Sequence, residues 1–457
     1  MQRQSVPGPT PGTYSRRAFL RLSAGAAAGA LVAACQPGPV TRTITGARAA
    51  ETVVELVYQD WRTDWFPPMA QEMLARFHER HPTIRVFYLP DPENLETKML
   101  ADMQAGTAPD VFQGCCAHYP IWAQKGGMLD LRPYVSRDLS QQTIQDWDPA
   151  QYRYYFTPDG QQYGLPKYHG AMALYYNKDM FDACDEPYPT REWTYDDYAA
   201  AMGRLCDSAP ERYRPVWGSL TEISWDRLQV HVNAWGGHFV DPADARRCLM
   251  AEPPALDAIE WLRALMWDDH VMATPMDVSH MGTSRAFVAQ RVAMVEDGSW
   301  ALKDILSGAD FAVGVAPLPK GPARRATLAT TDGFSIYSRC KHPDAAWELM
   351  QFLIGEEYGR AMARAHFLQP ARYSLVTDWV ACIRDEFPAQ AVGMDIAAFA
   401  DGHREGYSVT TEFFADMSAA KPIADAAWDQ ILSLGQAPVE RMIQACQQIA
   451  AAQASEG

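Results

Sequence analysis

From residue 52 onward, short β-branched runs take turns with stretches whose apolar residues recur every three or four positions. "TVVELVYQ" (52–59) is the first such run, and its nearly continuous apolar character predicts a buried strand. "FPPMAQEMLARFHERH" (66–81) follows, with Met69, Met73, Leu74 and Phe77 at helical spacing. "TIRVFYLP" (83–90) predicts a second strand, "NLETKMLADMQAG" (94–106) a helix closed by Gly106, and "PDVFQG" (109–114) a third strand. This alternation predicts an α/β fold with a parallel sheet covered by helices. Ligands of such sheets bind at the carboxyl ends of the strands, which directs attention to 58–66 and 113–119.

The theme repeats further along. "GAMALYYN" (170–177) and "DGFSIYS" (332–338) predict strands. "WTYDDYAAAMGRLC" (193–206) predicts a helix with Thr194 as N-cap and Asp196 and Asp197 near its positive end. "SWDRLQVHVNAWGGHFV" (224–240) predicts a helix that stops at Gly236-Gly237, and "PPALDAIEWLRALMWDDHV" (253–271) an amphipathic one. Residues 283–306 read as helix, strand and helix, 342–364 as helical, and 421–454 as closing helices.

Before residue 50 the pattern is different. Ser15-Arg16-Arg17-Ala18-Phe19-Leu20-Arg21 precedes a small-residue apolar run, Leu22 to Ala34, that is too short and too weakly apolar to span a bilayer. A basic start, an apolar middle and a small-residue end predict an export signal over 1–34. The paired arginines resemble the twin-arginine type, and Val32-Ala33-Ala34-Cys35 resembles a bacterial lipobox, which implies lipidation of Cys35 as the new N-terminus. Residues 35–50 have no periodicity and read as a flexible tether. Acylation would hold the protein at the outer side of a cell membrane without a transmembrane helix.

Charge and composition narrow the partners. Of 457 residues, removing 1–34 deletes Arg3, Arg16, Arg17 and Arg21 and no acid, which moves the formal charge from −16 by four, to −20. Such a surface repels nucleic acid and anionic membranes. The chain carries 14 Trp and 20 Tyr, residues suited to pockets with one apolar and one polar side. After Cys35, the cysteines at 115, 116, 184, 206, 248, 340, 382 and 446 show no CxxC and are too scattered for a disulfide scaffold, so they read mostly as small buried residues. No HExxH, GxGxxG, Walker loop or GxSxG occurs, so neither a metal nor a nucleotide-type cofactor is expected.

Several phrases, in order, resemble the carbohydrate-type extracellular solute-binding proteins of ABC transporters, the maltose-binding-like family. They include "FHERHPTIRV" (77–86), "MLADMQAGTAPDVF" (99–112), "YGLPKYHGAMALYYNKDMFDA" (163–183), "FVAQRVAMVEDGSWAL" (287–302), "VGVAPLPKGP" (313–322) and "FLQPAR" (367–372). The resemblance implies a two-lobed periplasmic-binding-protein-like fold, each lobe a mostly parallel sheet flanked by helices, joined by three crossing segments. It places the crossings in 168–173, near 295–297 and near 332–334, with lobe 1 as 51–170 plus 296–332 and lobe 2 as 171–295 plus 333–457. Gly170 and Gly333 become hinge candidates. A monomer that captures a small ligand and hands it to the permease subunits of the transporter is implied, not an enzyme.

Sugars offer flat C–H faces and a rim of hydroxyls, so a sugar site needs an aromatic plate and planar polar side chains. The foremost plate is Trp300 in Asp297-Gly298-Ser299-Trp300, against a plain core role; Trp235, before Gly236-Gly237, and Trp61, after the first strand, are the others. Gln59 and Asp60 beside Trp61, Tyr168 and His169 at the first crossing, Asp332 before the third, and Arg372 in "QPAR" complete the polar candidates. Cys115-Cys116 stands where the family usually has polar cleft residues. It is either two small buried residues or a disulfide between neighbours in an oxidising compartment. Two rivals remain: a binder of a non-sugar solute (glycerol phosphoester, polyamine or peptide), and a secreted glycoside hydrolase using Asp60 with Glu296 or Asp297.

Changing Cys35 to Ser should abolish metabolic labelling by palmitate. Unchanged labelling would remove the lipid anchor.

Overall fold

The computed structural model of the chain describes residues 53–454, apart from Glu93, Ala117 and Pro215. The leader, the tether and Cys35 lie outside the described residues. The strands are β1 (Val54–Asp60), β2 (Ile84–Pro90), β3 (Val111–Gly114), β4 (Leu165–Pro166), β5 (Met172–Asn177), β6 (Trp217–Leu220), β7 (Val240–Asp241), β8 (Asp244–Cys248), β9 (Val292–Gly298), β10 (Val313–Ala316), β11 (Thr327–Leu328), β12 (Gly333–Ile336) and β13 (Ser408–Val409).

Two sheets carry the lobes. The first has the order β2-β1-β3-β12-β4, with β1 parallel to β2 and β3 and with β12 antiparallel to both β3 and β4. The second has the order β10-β5-β9-β6, and only β9–β6 is parallel. Both sheets are therefore mixed, not mostly parallel. The parallel part is β2-β1-β3, where helices 66–80 and 95–105 supply the crossovers that parallel pairing needs. β12 reaches its sheet straight from the other lobe without such a helix, and so runs against its neighbours.

Each sheet is buried on both faces. Leu56, Phe77, Phe334, Trp347 and Tyr358 pack on one side of the first, and Phe112, Tyr119, Trp122 and Tyr155 on the other. The second lies between a core with Tyr198, Trp225, Leu228 and Trp428 and one with Phe287, Val295, Trp379 and Phe399. Strands β5 and β9 are buried at every residue, as central strands covered on both faces must be. Helices 376–386, 417–428 and 441–454 add to the cores of the second sheet.

Local signals worked as read at several points. Thr194 caps the helix Tyr195–Ser208 in a capping box with Asp197, and Gly106 closes Leu95–Ala105 at a left-handed φ of 76°. The stretch 342–364 is helical as expected, as two helices, Pro343–Leu353 and Glu356–His366, separated at Gly355.

The chain passes between the sheets three times; the first pass lies where it was expected, and the second ends at the crossing expected near 332–334. The first runs from β4 to β5 through 167–171. The segment 295–297 is no crossing: it belongs to β9, which pairs with β5 on one side and β6 on the other. The second pass is 329–332, between β11 and β12. The third is 367–375, after Glu356–His366 on the first lobe and before Val376–Glu386 on the second. The lobe boundaries shift accordingly. Strand β10 belongs to the second sheet, not to lobe 1, and β12 with the helix after it belongs to the first, not to lobe 2.

The three passes touch. Ala171 bridges Ala329, and Tyr168 bridges Pro370. The Gly170 N–H donates to Thr330 Oγ1 at 2.9 Å, and the Thr330 N–H donates to the Gly170 carbonyl at 2.8 Å. A Cβ on Gly170 would lie 2.6 Å from the Thr330 methyl and 2.9 Å from the Trp300 ring, so only glycine fits. Gly333 lies inside the first sheet, opposite Gly114 and Pro166, and not in a crossing.

The scattered cysteines hold one surprise. Cys248 and Cys446 are joined by a disulfide, with Cα atoms 5.5 Å apart, and it fastens the end of β8 to the helix Arg441–Ala454. Sequence spacing carried no signal for it, because the pair is 198 residues apart. Replacing both by Ala should cost about 2–4 kcal/mol, typical for loss of a native disulfide, read as a lower urea midpoint. An unchanged midpoint would mean that the link does not constrain the unfolded chain.

Candidate functional site

Strand β9 ends at Gly298, and a short turn, Ser299–Ala301, presents Trp300. The Ser299 N–H donates to the Ala171 carbonyl at 2.9 Å, which ties this turn to the first crossing. The indole folds back over Gly298, where a Cβ would come within 2.2 Å of it. Trp300 is only partly buried, and it packs against the first-lobe core and against both cores of the second lobe. It therefore stands where the lobes meet.

The helix Trp225–Ala234 brings Arg227 to the ring, with its guanidinium carbon 4.7 Å from the ring centroid. Asp297 Oδ1 lies 3.4 Å from that guanidinium and Glu222 lies 3.7 Å from it. Asp297 is itself anchored, accepting from the Gly298 N–H (2.7 Å), Thr283 Oγ1 (2.5 Å) and Ser284 Oγ (2.8 Å).

These residues line a cavity of about 740 Å³, bordered also by Arg285 and Asp304. A smaller cavity of about 280 Å³ shares Glu222, Arg227 and Trp300 with it and adds Tyr168, Ser224, Asp226, Leu328 and Thr330. Together they form a groove that runs past Trp300 to the first two crossings. Its size matches small-ligand sites. Four carboxylates (Glu222, Asp226, Asp297, Asp304) outnumber two guanidinium groups (Arg227, Arg285) around it. Burial raises the carboxyl pKa of Asp226.

Of the candidates named from sequence, Trp300 and Tyr168 line this groove. Cys115 and Cys116 are half-buried on the first-lobe side, and Asp226, from the groove, lies close enough to Cys115 to act on its thiol. The others are engaged elsewhere. Asp60 is fully buried, ion-paired with buried Lys167, hydrogen-bonded by Tyr58 Oη and by the Trp61 N–H, and so cannot reach a ligand hydroxyl. Gln59 is buried beside it and donates to Asp91 at 3.3 Å. Trp61 covers Lys167, whose ammonium nitrogen lies 3.3 Å from the ring centroid. His169 is buried against Asp148 at 3.3 Å. Trp235 packs edge-on to Tyr195 and beside Trp261, within a helix-end aromatic cluster. Arg372 stacks on Trp147 and donates to the Ile354 carbonyl. Asp332 is buried near Lys167 and Tyr168.

The hydrolase pair fares no better. Glu296 is fully buried and bound to His231 at 2.8 Å, and Asp60 and Asp297 face no common cavity among the described residues. No cluster of His, Cys, Asp or Glu suited to a metal ion occurs among the described residues, and none of their helices is long and apolar enough to cross a membrane. Sequence reading missed Arg227, Glu222, Asp226, Thr283 and Ser284. The one available signal was Asp226-Arg227 just inside a helix that is otherwise buried along its length.

The chain belongs to the bacterial extracellular solute-binding protein family, whose model matches residues 60–360. A binding protein of Brucella abortus is 24% identical over 307 residues, covering 66% of this chain and 71% of that one. An arabinooligosaccharide-binding protein of Halalkalibacterium halodurans is 30% identical over 150 residues, 31% of this chain and 32% of that one. The fold is shared with an ABC substrate-binding protein of Listeria monocytogenes solved in complex with cycloalternan, with a TM-score of 0.74 at 21% identity, covering 88% of this chain and 99% of that one.

The buried acids of the first lobe set a pH dependence. Desolvation, opposed by Lys167, pushes Asp332 from 3.8 to about 6, and Asp91 rises to about 6 for the same reason. A raised folded-state pKa gives stability that is complete below 3.8 and lost as pH rises through about 6. Asp332→Asn should therefore shrink the drop in urea midpoint across that window. A drop as steep as in the parent chain would show that Asp332 does not titrate there.

Proposed function

We propose that this chain is the ligand-capturing component of an ABC importer, and that a sugar or oligosaccharide binds along the groove at Trp300. The arrangement at Trp300 carries the reading. A partly exposed indole meets planar polar groups from Arg227, Glu222 and Asp297 and hydroxyls from Thr283 and Ser284. A sugar needs both kinds of surface. Family membership and the oligosaccharide named for the Halalkalibacterium relative support it. The excess of carboxylates around the groove disfavours an anionic phosphoester.

Capture proceeds by closure. Ligand held in the open arrangement touches mainly the second lobe and the crossings. Contacts to the first lobe form only when the lobes approach, so binding shifts the population toward the closed state. Gly170, wedged between Thr330 and Trp300, is the natural place for a ligand at the ring to be felt by the crossings. The protein works outside the cytoplasm, held at the membrane through Cys35, and delivers ligand to the permease without chemical change.

A thermal-shift series with maltotriose, arabinotriose and glycerophosphocholine tests the ligand class, since occupancy at a hundredfold excess over Kd adds about 2.7 kcal/mol. Stabilisation by the phosphodiester alone would replace the sugar reading. With a sugar that binds, Trp300→Ala should weaken affinity about 5- to 150-fold by calorimetry, as expected for an aromatic anchor worth roughly 1–3 kcal/mol. It should cost less stability than the roughly 3–5 kcal/mol of a truncated core Trp, and Trp300→Phe should recover part of the affinity. Unchanged affinity with a collapsed urea midpoint would make Trp300 purely structural.

A further inference from the structure

Cys115 and Cys116 form the turn that leaves β3 at its carboxyl end, in the first lobe. Both are half-buried, and their sulfurs lie 2.8 Å apart. Cys116 has a left-handed φ of 56°, a conformation costly for a residue with a side chain. The turn is held from two sides. The Cys116 N–H donates to Thr331 Oγ1 at 3.0 Å, and its carbonyl accepts from Tyr154 Oη at 2.7 Å. Thr331 follows Thr330, which lines the smaller cavity together with Asp226. The backbone is therefore fixed in a shape that keeps the two sulfurs together, beside the second crossing.

We propose that Cys115 and Cys116 close reversibly into a disulfide between adjacent residues, which makes this turn beside the second crossing redox-labile. The oxidant is a low-molecular-weight disulfide. One cysteine gives its proton to solvent and its thiolate attacks a sulfur of the oxidant, expelling a thiolate and leaving a mixed disulfide. The neighbour, deprotonated in turn, attacks the protein-bound sulfur and expels the second thiolate. The protein loses two protons and two electrons, and the oxidant becomes two thiols.

The bond so formed is strained. Adjacent Cα atoms are held about 3.8 Å apart across a trans peptide, against the roughly 4.4–6.8 Å usual for disulfides. It should therefore be reduced before Cys248–Cys446, whose Cα separation of 5.5 Å is ordinary. Closure should also be slow at neutral pH and faster in alkali. The hydrogen bond with the Cys116 sulfur, burial, and the charges of Asp332 and Asp226 all hold the Cys115 thiol protonated. The bond does not depend on where the ligand binds.

The test therefore needs no ligand. The full chain is incubated with oxidised glutathione at neutral and alkaline pH, alkylated without reductant, and digested with trypsin. The peptide spanning 99–125 should be two hydrogens lighter and unalkylated, sooner in alkali. It should regain both hydrogens in dilute dithiothreitol while Cys248–Cys446 survives. Cys115→Ser and Cys116→Ser should each keep a glutathione adduct on the remaining sulfur, which has lost the neighbour that would expel it. Alkylation of both cysteines in the oxidised parent chain, or a lasting glutathione adduct on either, would overturn the proposal, and neither result bears on the sugar reading.

Discussion

Three passes of backbone must run side by side between the lobes, and the contact between Gly170 and Thr330 is where they are tightest. The two residues exchange hydrogen bonds, and no Cβ fits between them. That close approach leaves the Trp300 ring lying against the junction, tied to it by the Ser299 N–H on Ala171. Arg227 then stacks on the ring, and Asp297 and Glu222 hold Arg227. The groove is thus built outward from one contact among the crossings. Its polar groups are pre-ordered, which limits the entropy lost when a ligand arrives.

The two lobes use buried charge differently. In the first, Asp60, Lys167 and Asp332 form a buried group, with half-buried Asp91 at its edge, whose partners are mostly internal. Removing one member would leave its partner uncompensated, so the group fixes structure and is closed to ligand. In the second, Asp297 and Arg227 are nearly as buried, yet both border the cavity. Burial alone does not mark a functional charge. What marks it is an unfilled volume on one side.

The strands and helices before residue 114 were legible because each lobe wall there follows a regular alternation of apolar period. Trp300 was legible because a glycine after a buried strand frees the next residues to turn. Trp235 carried a similar glycine signal, but there the glycines only end a helix, and the indole joins Tyr195 and Trp261. The second crossing was misplaced because its position near Glu296 and Asp297 came from the family resemblance and not from a local period. In the structure they stay inside β9, where His231 and Arg227 compensate them from a helix some 65–70 residues earlier in the chain. The same remoteness hid Arg227, Glu222 and the Cys248–Cys446 bond. Such pairings depend on which elements become neighbours, and no local period encodes that.

Strand β12 sits between β3 and β4, although it is made more than 160 residues after β4. Without it, β4 has no partner in the first sheet. The second lobe is interrupted in the same way, since its cores wait for the helices Met417–Trp428 and Arg441–Ala454. Neither lobe is a continuous piece of chain, so neither can finish folding while the other is unmade. A cut in any one of the crossings would not release two independent halves. During synthesis the early strands must wait with an open edge, and the order in which chain emerges becomes part of how the groove is made.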